Sequence, residues 1–205
     1  MTSTTLIFDS YLAKAIDYPA YMALMHNLLS DHKTTGPNQE KDLVDYTRLN
    51  FHRMERLNKT IALNNELLSL LQQLKQRWTW LVITEAWCGD AAQNIPLLHT
   101  ISVASAGKID VKIILRDENL ALMDKYLTSG ARAIPVLICI ETETLTERGK
   151  WGPRPKPMQE KVLEYKKNPT QSLEEFKTLL HTWYAKDKTQ AMQTEMIQYI
   201  KKWSS

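Results

Sequence analysis

Cysteine is nearly absent: the chain holds two in 205 residues, Cys88 and Cys139. So low a number excludes a disulfide framework and leaves no cysteine pair for zinc. It fits a reducing, cytoplasmic setting. Long apolar runs are missing too. None approaches the ~20 residues that span a bilayer, so no membrane partner is expected. Met1 to Tyr11 carries neither a basic n-region nor a long apolar h-region, and no secretory leader is expected. The five histidines lack metal-ligand spacing such as His-Glu-x-x-His; no metal and no other cofactor is expected. An excess of one charge is also lacking. Lys and Arg total 26 against 23 Asp and Glu, a net charge of +3 that is spread along the chain. Nucleic acid would want a clustered basic stripe, so it is not an expected partner. What is present, 43% hydrophobic and 24% charged residues, is enough to bury one sizeable core.

Residues 1–76 read as mostly helical. Asp9 is placed to cap a segment with Tyr11, Leu12, Ala15 and Ile16 on one face. Tyr21, Met22, Leu24, Met25, Leu28 and Leu29 continue at helical spacing beyond Pro19. His32 to Gln39, with Gly36-Pro37, reads as a loop. Further helices are expected over Lys41 to Leu57 and Asn65 to Gln76. The period then changes. Trp80 to Thr84 reads as a buried strand, Cys88 to about Ser105 as a helix, and Asp110 to Leu115 as a second strand. Leu120 to Leu127 reads as a helix closed by Ser129-Gly130, and Val136 to Ile140 as a third strand. Glu141 to Arg148 reads as an exposed edge strand. Lys150 to Pro157, with three prolines, is expected to be irregular. Ser172 and Glu175 form a capping box that opens a C-terminal helix, with a break near Lys186 to Lys188 before a last apolar stripe ending at Trp203.

Cys88 carries the chemistry of this pattern. It follows a strand and opens a helix, where unpaired N–H groups and the helix dipole favour an anion. A cysteine there can ionise well below its free value of about 8.5, and the thiolate is the nucleophile. Asp90 opposes this, because a carboxylate two residues away disfavours a second negative charge. Cys139, in an apolar strand, reads as a small hydrophobe.

Trp87-Cys88-Gly89 resembles the Trp-Cys-Gly of the thioredoxin superfamily. Pro96 falls where thioredoxins kink the active-site helix, and Gly130-Ala131-Arg132-Ala133-Ile134-Pro135 resembles the family's cis-proline segment. The likeness covers about residues 63–149. The fuller pattern adds Trp151-Gly152-Pro153-Arg154-Pro155 and resembles a bacterial group named simply "thioredoxin family protein". The implied fold is α/β and thioredoxin-like, a central mixed sheet flanked by helices. Residues 1–62 would form an N-terminal helical extension on the core of 63–149, and 150–205 would complete the same domain with a loop and a long C-terminal helical segment. Ala91 stands where the resolving cysteine would be, and Val82 where thioredoxins keep a buried aspartate.

The resemblance implies a monothiol thiol–disulfide oxidoreductase. Cys88 and Asp90 would be its catalytic residues. Trp87, Gly89, Arg132, Ile134, Pro135, Trp151 and Arg154 would line a substrate groove. A thiol or disulfide, on a protein or a small molecule, would be the partner, and an outside thiol would resolve the adduct. The alternative is a redox-inactive binding or adaptor protein using the groove beside Pro135. Glu85 is expected to be solvated at its strand end, and Asp90 to sit in the first turn where the dipole favours it. If the loop after Trp151 folds over the site, Arg154 would hold a carboxylate or the Cys88 thiolate. The Met and Trp stripes allow a monomer or a weak homodimer.

Overall fold

The computed structural model describes residues 5–205, with side chains from Phe8 onward. The expectation about a leader falls partly on residues 1–4, which lie outside the described residues. Helix α1 covers Thr5–Leu12, so Asp9 lies within it rather than capping it. The chain then makes a two-residue strand, β1 (Ile16–Asp17), before α2 (Tyr18–Ser30). The cap that works is Asp17, whose carboxylate accepts from the Ala20 N–H at 2.8 Å, while Pro19 sits in the first turn. A proline there loses no needed N–H and has its φ already set for a helix. Ile16 is thereby freed from the helical face to pair with Ile113.

Helix α3 (Lys41–Thr60) buries Val44, Thr47, Asn50 and Met54, a stripe at helical spacing. Helix α4 (Asn65–Gln73) is capped by Asn64, which accepts from the Leu67 N–H at 2.9 Å. Strand β2 (Trp78–Thr84) is buried along its whole length, as a central strand covered on both faces must be. Helix α5 (Gly89–Ala104) follows, then β3 (Ile109–Leu115), the four-residue α6 (Leu120–Met123), β4 (Val136–Glu141) and β5 (Glu147–Trp151). The sheet order is β1-β3-β2-β4-β5; only β2 and β3 run parallel. This is the α/β fold, a mixed sheet flanked by helices.

Three further segments differ from the sequence reading, among them the edge strand read over Glu141 to Arg148, which begins only at Glu147. The helix expected to reach Leu127 stops at Met123. Thr128 and Ala131 instead bridge across a tight turn in which Ser129 and Gly130 take positive φ. The stretch from Lys150 to Pro157 is regular at both ends. Lys150 and Trp151 finish β5, the edge strand, and Lys156 opens an unanticipated helix, α7 (Lys156–Lys167). Pro157 sits in the first turn of α7, where a proline starts a helix rather than breaking one. Only residues 152–155 are irregular.

The Ser172–Glu175 capping box is present and opens α8 (Leu173–Asp187). Lys188 and Thr189 both take left-handed backbone, which makes the break before α9 (Gln190–Trp203). At its end Trp203 meets Trp78 and Trp80 edge-on, with ring centroids 6.2 and 6.1 Å apart. Helix α5 is buried from Ala91 to Leu98 on every side, between sheet and α3, with Pro96 inside it. That enclosure fixes its N-terminus and whatever sits there. Among the described residues, no helix is long and apolar enough to cross a membrane. No group of three or more His, Cys, Asp or Glu among them could hold a metal ion.

Candidate functional site

Strand β2 hands the chain to α5 through Glu85, Ala86 and Trp87. Both polar groups of the Ala86 peptide are held. Its N–H donates to Thr35 Oγ1 at 2.8 Å, and its carbonyl accepts from Asn50 Nδ2 at 2.9 Å. Glu85 is fully buried, not solvated. Its Oε1 accepts from the Asp117 N–H at 2.8 Å, and burial pushes its carboxyl above the usual range. The segments around Thr35 and Asp117 cover the strand end, a burial that only the tertiary fold creates.

Cys88 is the N-cap of α5. Its Sγ accepts from the Ala91 N–H at 3.4 Å and donates to the Ile134 carbonyl at 3.3 Å. The Ile134–Pro135 peptide is cis. A sulfur that donates is a protonated thiol. Burial pushes the Cys88 pKa up to about 12, and the negative charge of Asp90 adds to that. The Ala91 N–H and the Arg154 guanidinium pull the other way and lose. Desolvation of the charged form thus outweighs the helix N-terminus here. The other thiol, Cys139, lies in β4 opposite Trp80, buried and remote from this turn.

Asp90 occupies the first turn of α5, yet its partners are distant in sequence. Arg154 Nη2 lies 2.6 Å from its Oδ2, and the Tyr184 hydroxyl donates to its Oδ1 at 2.8 Å. Asn94 Nδ2 donates to the Asp90 carbonyl at 2.7 Å and to Tyr184 Oη at 3.3 Å. Burial raises the Asp90 carboxyl, while Arg154 and the Tyr184 hydroxyl oppose that. Arg154 reaches the site because the loop after β5 folds against the Pro135 carbonyl, which Gly152 approaches with positive φ. Of the two partners expected for Arg154, a carboxylate or the Cys88 thiolate, its ion pair is with a carboxylate of the chain's own, Asp90.

These groups line a cleft of about 460 Å³. Of the expected groove residues, Trp87, Gly89, Arg132, Ile134 and Arg154 are on its wall with Cys88 and Asp90. Arg132 stands at the rim, bidentate to Asp124 at 2.6 and 2.9 Å. Pro135 is buried behind Ile134. Trp151 is a correction. It is buried, its indole N–H donates to Glu195 Oε2 at 2.6 Å, and it lines a separate cavity toward α9. Trp151 pairs with Leu137 across β5 and β4 and is not part of the wall of the Cys88 cleft. The cleft also contains Tyr46, Lys177, His181 and Tyr184, from α3 and α8, which sequence reasoning missed as site residues. Tyr184 falls at helical spacing with Phe176 and Leu180, a pattern that marks packing rather than a site, and nothing local marks the other three.

A family model described as Thioredoxin matches residues 36–176. No curated protein matches the chain. Among solved structures, a protein of unknown function from Pseudomonas aeruginosa is similar at a TM-score of 0.58 and 16% identity, over 91% of this chain and 98% of that one. An HIV epitope-scaffold is similar at a TM-score of 0.55 and 16% identity, with the same coverages of 91% and 98%. At such identity these two likenesses concern the fold alone. The family match spans more than half of the sequence and agrees with the mixed sheet and the helix that Cys88 caps: the chain belongs to the thioredoxin family.

Proposed function

We propose that the protein carries out thiol–disulfide exchange through Cys88 alone. One observation carries this reading: Cys88 Sγ caps α5 on the wall of an open cleft, receiving the Ala91 N–H beside the Ile134–Pro135 segment. The Cys88 thiolate would attack one sulfur of a substrate disulfide. One S–S bond breaks, a mixed disulfide forms and the other half leaves as thiolate. An outside thiol from a reducing compartment would then attack the mixed disulfide and restore Cys88. The thiol proton would pass to Asp90, whose carboxyl burial already favours the protonated form. Asp90 would then pass that proton to the departing thiolate, which leaves as a thiol and restores one negative charge opposite Arg154. Because no second thiol is at hand, exchange depends on the outside thiol concentration.

The test is reduction of a small disulfide with a low-molecular-weight thiol present. Wild type should outpace Cys88→Ala at every thiol concentration; equal rates overturn the reading.

A second reading, a redox-inactive binding protein, is favoured by one observation. The Cys88 thiol is buried and spends its proton on the Ile134 carbonyl. Alkylation separates the two. Modification that follows ionisation of Cys88 and blocks disulfide reduction supports exchange. A thiol that stays unmodified across the accessible pH range supports binding alone.

A further inference from the structure

Two basic side chains, Arg53 and His181, meet over the first residue of α5, and a third stands on the cleft wall beside His181. A methyl group built on Gly89 would lie 3.6 Å from His181 Cε1 and 3.8 Å from Arg53 Nη1. Lys177, one turn before His181 on α8, is on the same wall of the cleft. Their partners do not balance their charge. Arg53 Nη1 donates to Asn50 Oδ1, a neutral acceptor, at 3.2 Å. His181 Nδ1 is buried with no hydrogen-bond partner among the described residues. Lys177 Nζ donates to the Tyr46 hydroxyl at 2.8 Å and to Glu174 Oε1 at 2.7 Å. Glu174 is 76% exposed, so its charge is largely answered by water.

The electrostatics agree with the geometry. Burial, and then the Arg56 charge, push the Arg53 guanidinium down, and no carboxylate offsets them. Burial, and then the charges of Arg53 and Lys177, push the His181 pKa down to about 4. The one acid on the cleft wall, Asp90, is held by Arg154. His181 is neutral near pH 7, Arg53 has no carboxylate beside it and Lys177 only the exposed Glu174, so a bound anion would supply the negative charge this wall lacks.

We propose that Arg53, Lys177 and His181 form an anion-binding subsite over Gly89. It takes the carboxylate or phosphate of a small molecule whose apolar part lies along Trp87, Leu180 and Ile134 toward Cys88. The cleft, at about 460 Å³, has the size of a small-molecule site rather than of a protein interface. The start of α5 adds unpaired N–H groups to the same spot, and Arg53 offers a carboxylate or phosphate a planar, forked donor. The subsite rests on the cleft being where the ligand of the proposed function binds, and it does not require a reactive thiol.

The experiment therefore uses the full chain with Cys88→Ser, in which exchange is impossible by design. Succinate and inorganic phosphate are the probes, with 1,4-diaminobutane as the cationic control. The readout is the titration midpoint of the His181 imidazole by NMR. The tighter-bound anion is expected to raise it by about one pH unit, since a neighbouring negative charge favours imidazolium. The stronger of the two probes then tells carboxylate from phosphate, the diamine has no effect, and Arg53→Gln weakens anion binding tenfold or more. A midpoint that neither anion moves at millimolar concentration overturns the proposal, as does equal binding by Arg53→Gln. Loss of disulfide exchange in the wild-type assay bears only on Cys88.

Discussion

Arg154 Nη2 and Asp90 Oδ2 are 2.6 Å apart, joining the loop after β5 to the first turn of α5, with side chains only 18% and 12% exposed. This pair decides where the site's negative charge resides. Asp90→Asn removes the like charge that stands second only to burial in raising the Cys88 thiol. It also leaves Arg154 without its carboxylate. Both changes favour the thiolate, so the midpoint of Cys88 alkylation against pH should fall below that of wild type. Arg154→Gln removes the opposing cation and should raise it. Breaking one member of a buried pair costs about 3–5 kcal/mol, whereas replacing both is often nearly neutral. The double variant Asp90→Asn/Arg154→Gln should therefore be more stable to urea than either single one. An unchanged alkylation midpoint in Asp90→Asn would remove Asp90 from any role in the thiol chemistry.

How much of this was legible depended on the range of the interaction. Cys88, Pro96 and Pro135 carry local patterns, a strand handing over to a helix and two prolines at marked places, and the fold follows from them. The Ser172–Glu175 box is equally local and is found in place. The proline-bound loop marks Arg154 only as a charge held at a fixed angle, with a carboxylate or the Cys88 thiolate as its partner if the loop folds over the site. That the carboxylate is Asp90, 64 positions earlier, depends on the packing of Gly152 on the Pro135 carbonyl. The burial of Glu85 depends on Thr35 and Asp117 closing over it. Lys177 and His181 read as an ordinary polar face of α8. Only the docking of that helix over Gly89 gives them a common purpose.

Gly152 takes φ +124, and a Cβ there would run into the Pro135 carbonyl oxygen. Backbone cannot give way as a flexible side chain does, and a left-handed backbone costs a non-glycine residue about 1–3 kcal/mol by itself. Gly152→Ala should lower stability by at least that amount. It should also withdraw Arg154 from Asp90, raising the alkylation midpoint as Arg154→Gln does. The paired measurements are a urea unfolding curve and the alkylation profile. A variant as stable as wild type would show that the loop does not depend on this close approach.

His181 works against the fold as the solution becomes mildly acidic, opposite in sign to the raised carboxyls of Glu85 and Asp90. Its folded pKa of about 4 lies below the unfolded value of 6.5. Between those pH values the unfolded chain binds a proton that the folded chain refuses. The His181 contribution to stability therefore rises with pH across that window and is lost as pH falls through it. His99, stacked on Tyr18 with centroids 4.3 Å apart, is shifted down by burial and acts in the same direction. Relative to wild type, His181→Gln should be more stable at pH 5 than at pH 7. The check is the urea midpoint at both pH values; an equal change in wild type and variant would remove His181 as a contributor.

Trp203 ends α9, yet it is only 2% exposed and is packed edge-on against Trp78 and Trp80 of the central strand. A Cβ on Gly149 would strike its indole nitrogen, so β5 has left room for this ring. Its carbonyl accepts from Arg148 Nε and Nη2 at 3.1 and 3.0 Å. The same helix supplies Glu195, which holds the Trp151 indole at 2.6 Å and thereby the strand that leads into Arg154. Trp203→Ala should then cost about 3–5 kcal/mol, as truncations of buried aromatic residues do. It should also reach the site, slowing Cys88-dependent disulfide reduction by loosening the Arg154 loop. Trp203→Phe keeps a ring on Trp80 and should recover most of both. If the urea midpoint barely moves in Trp203→Ala, α9 is an appendage rather than a wall of the core.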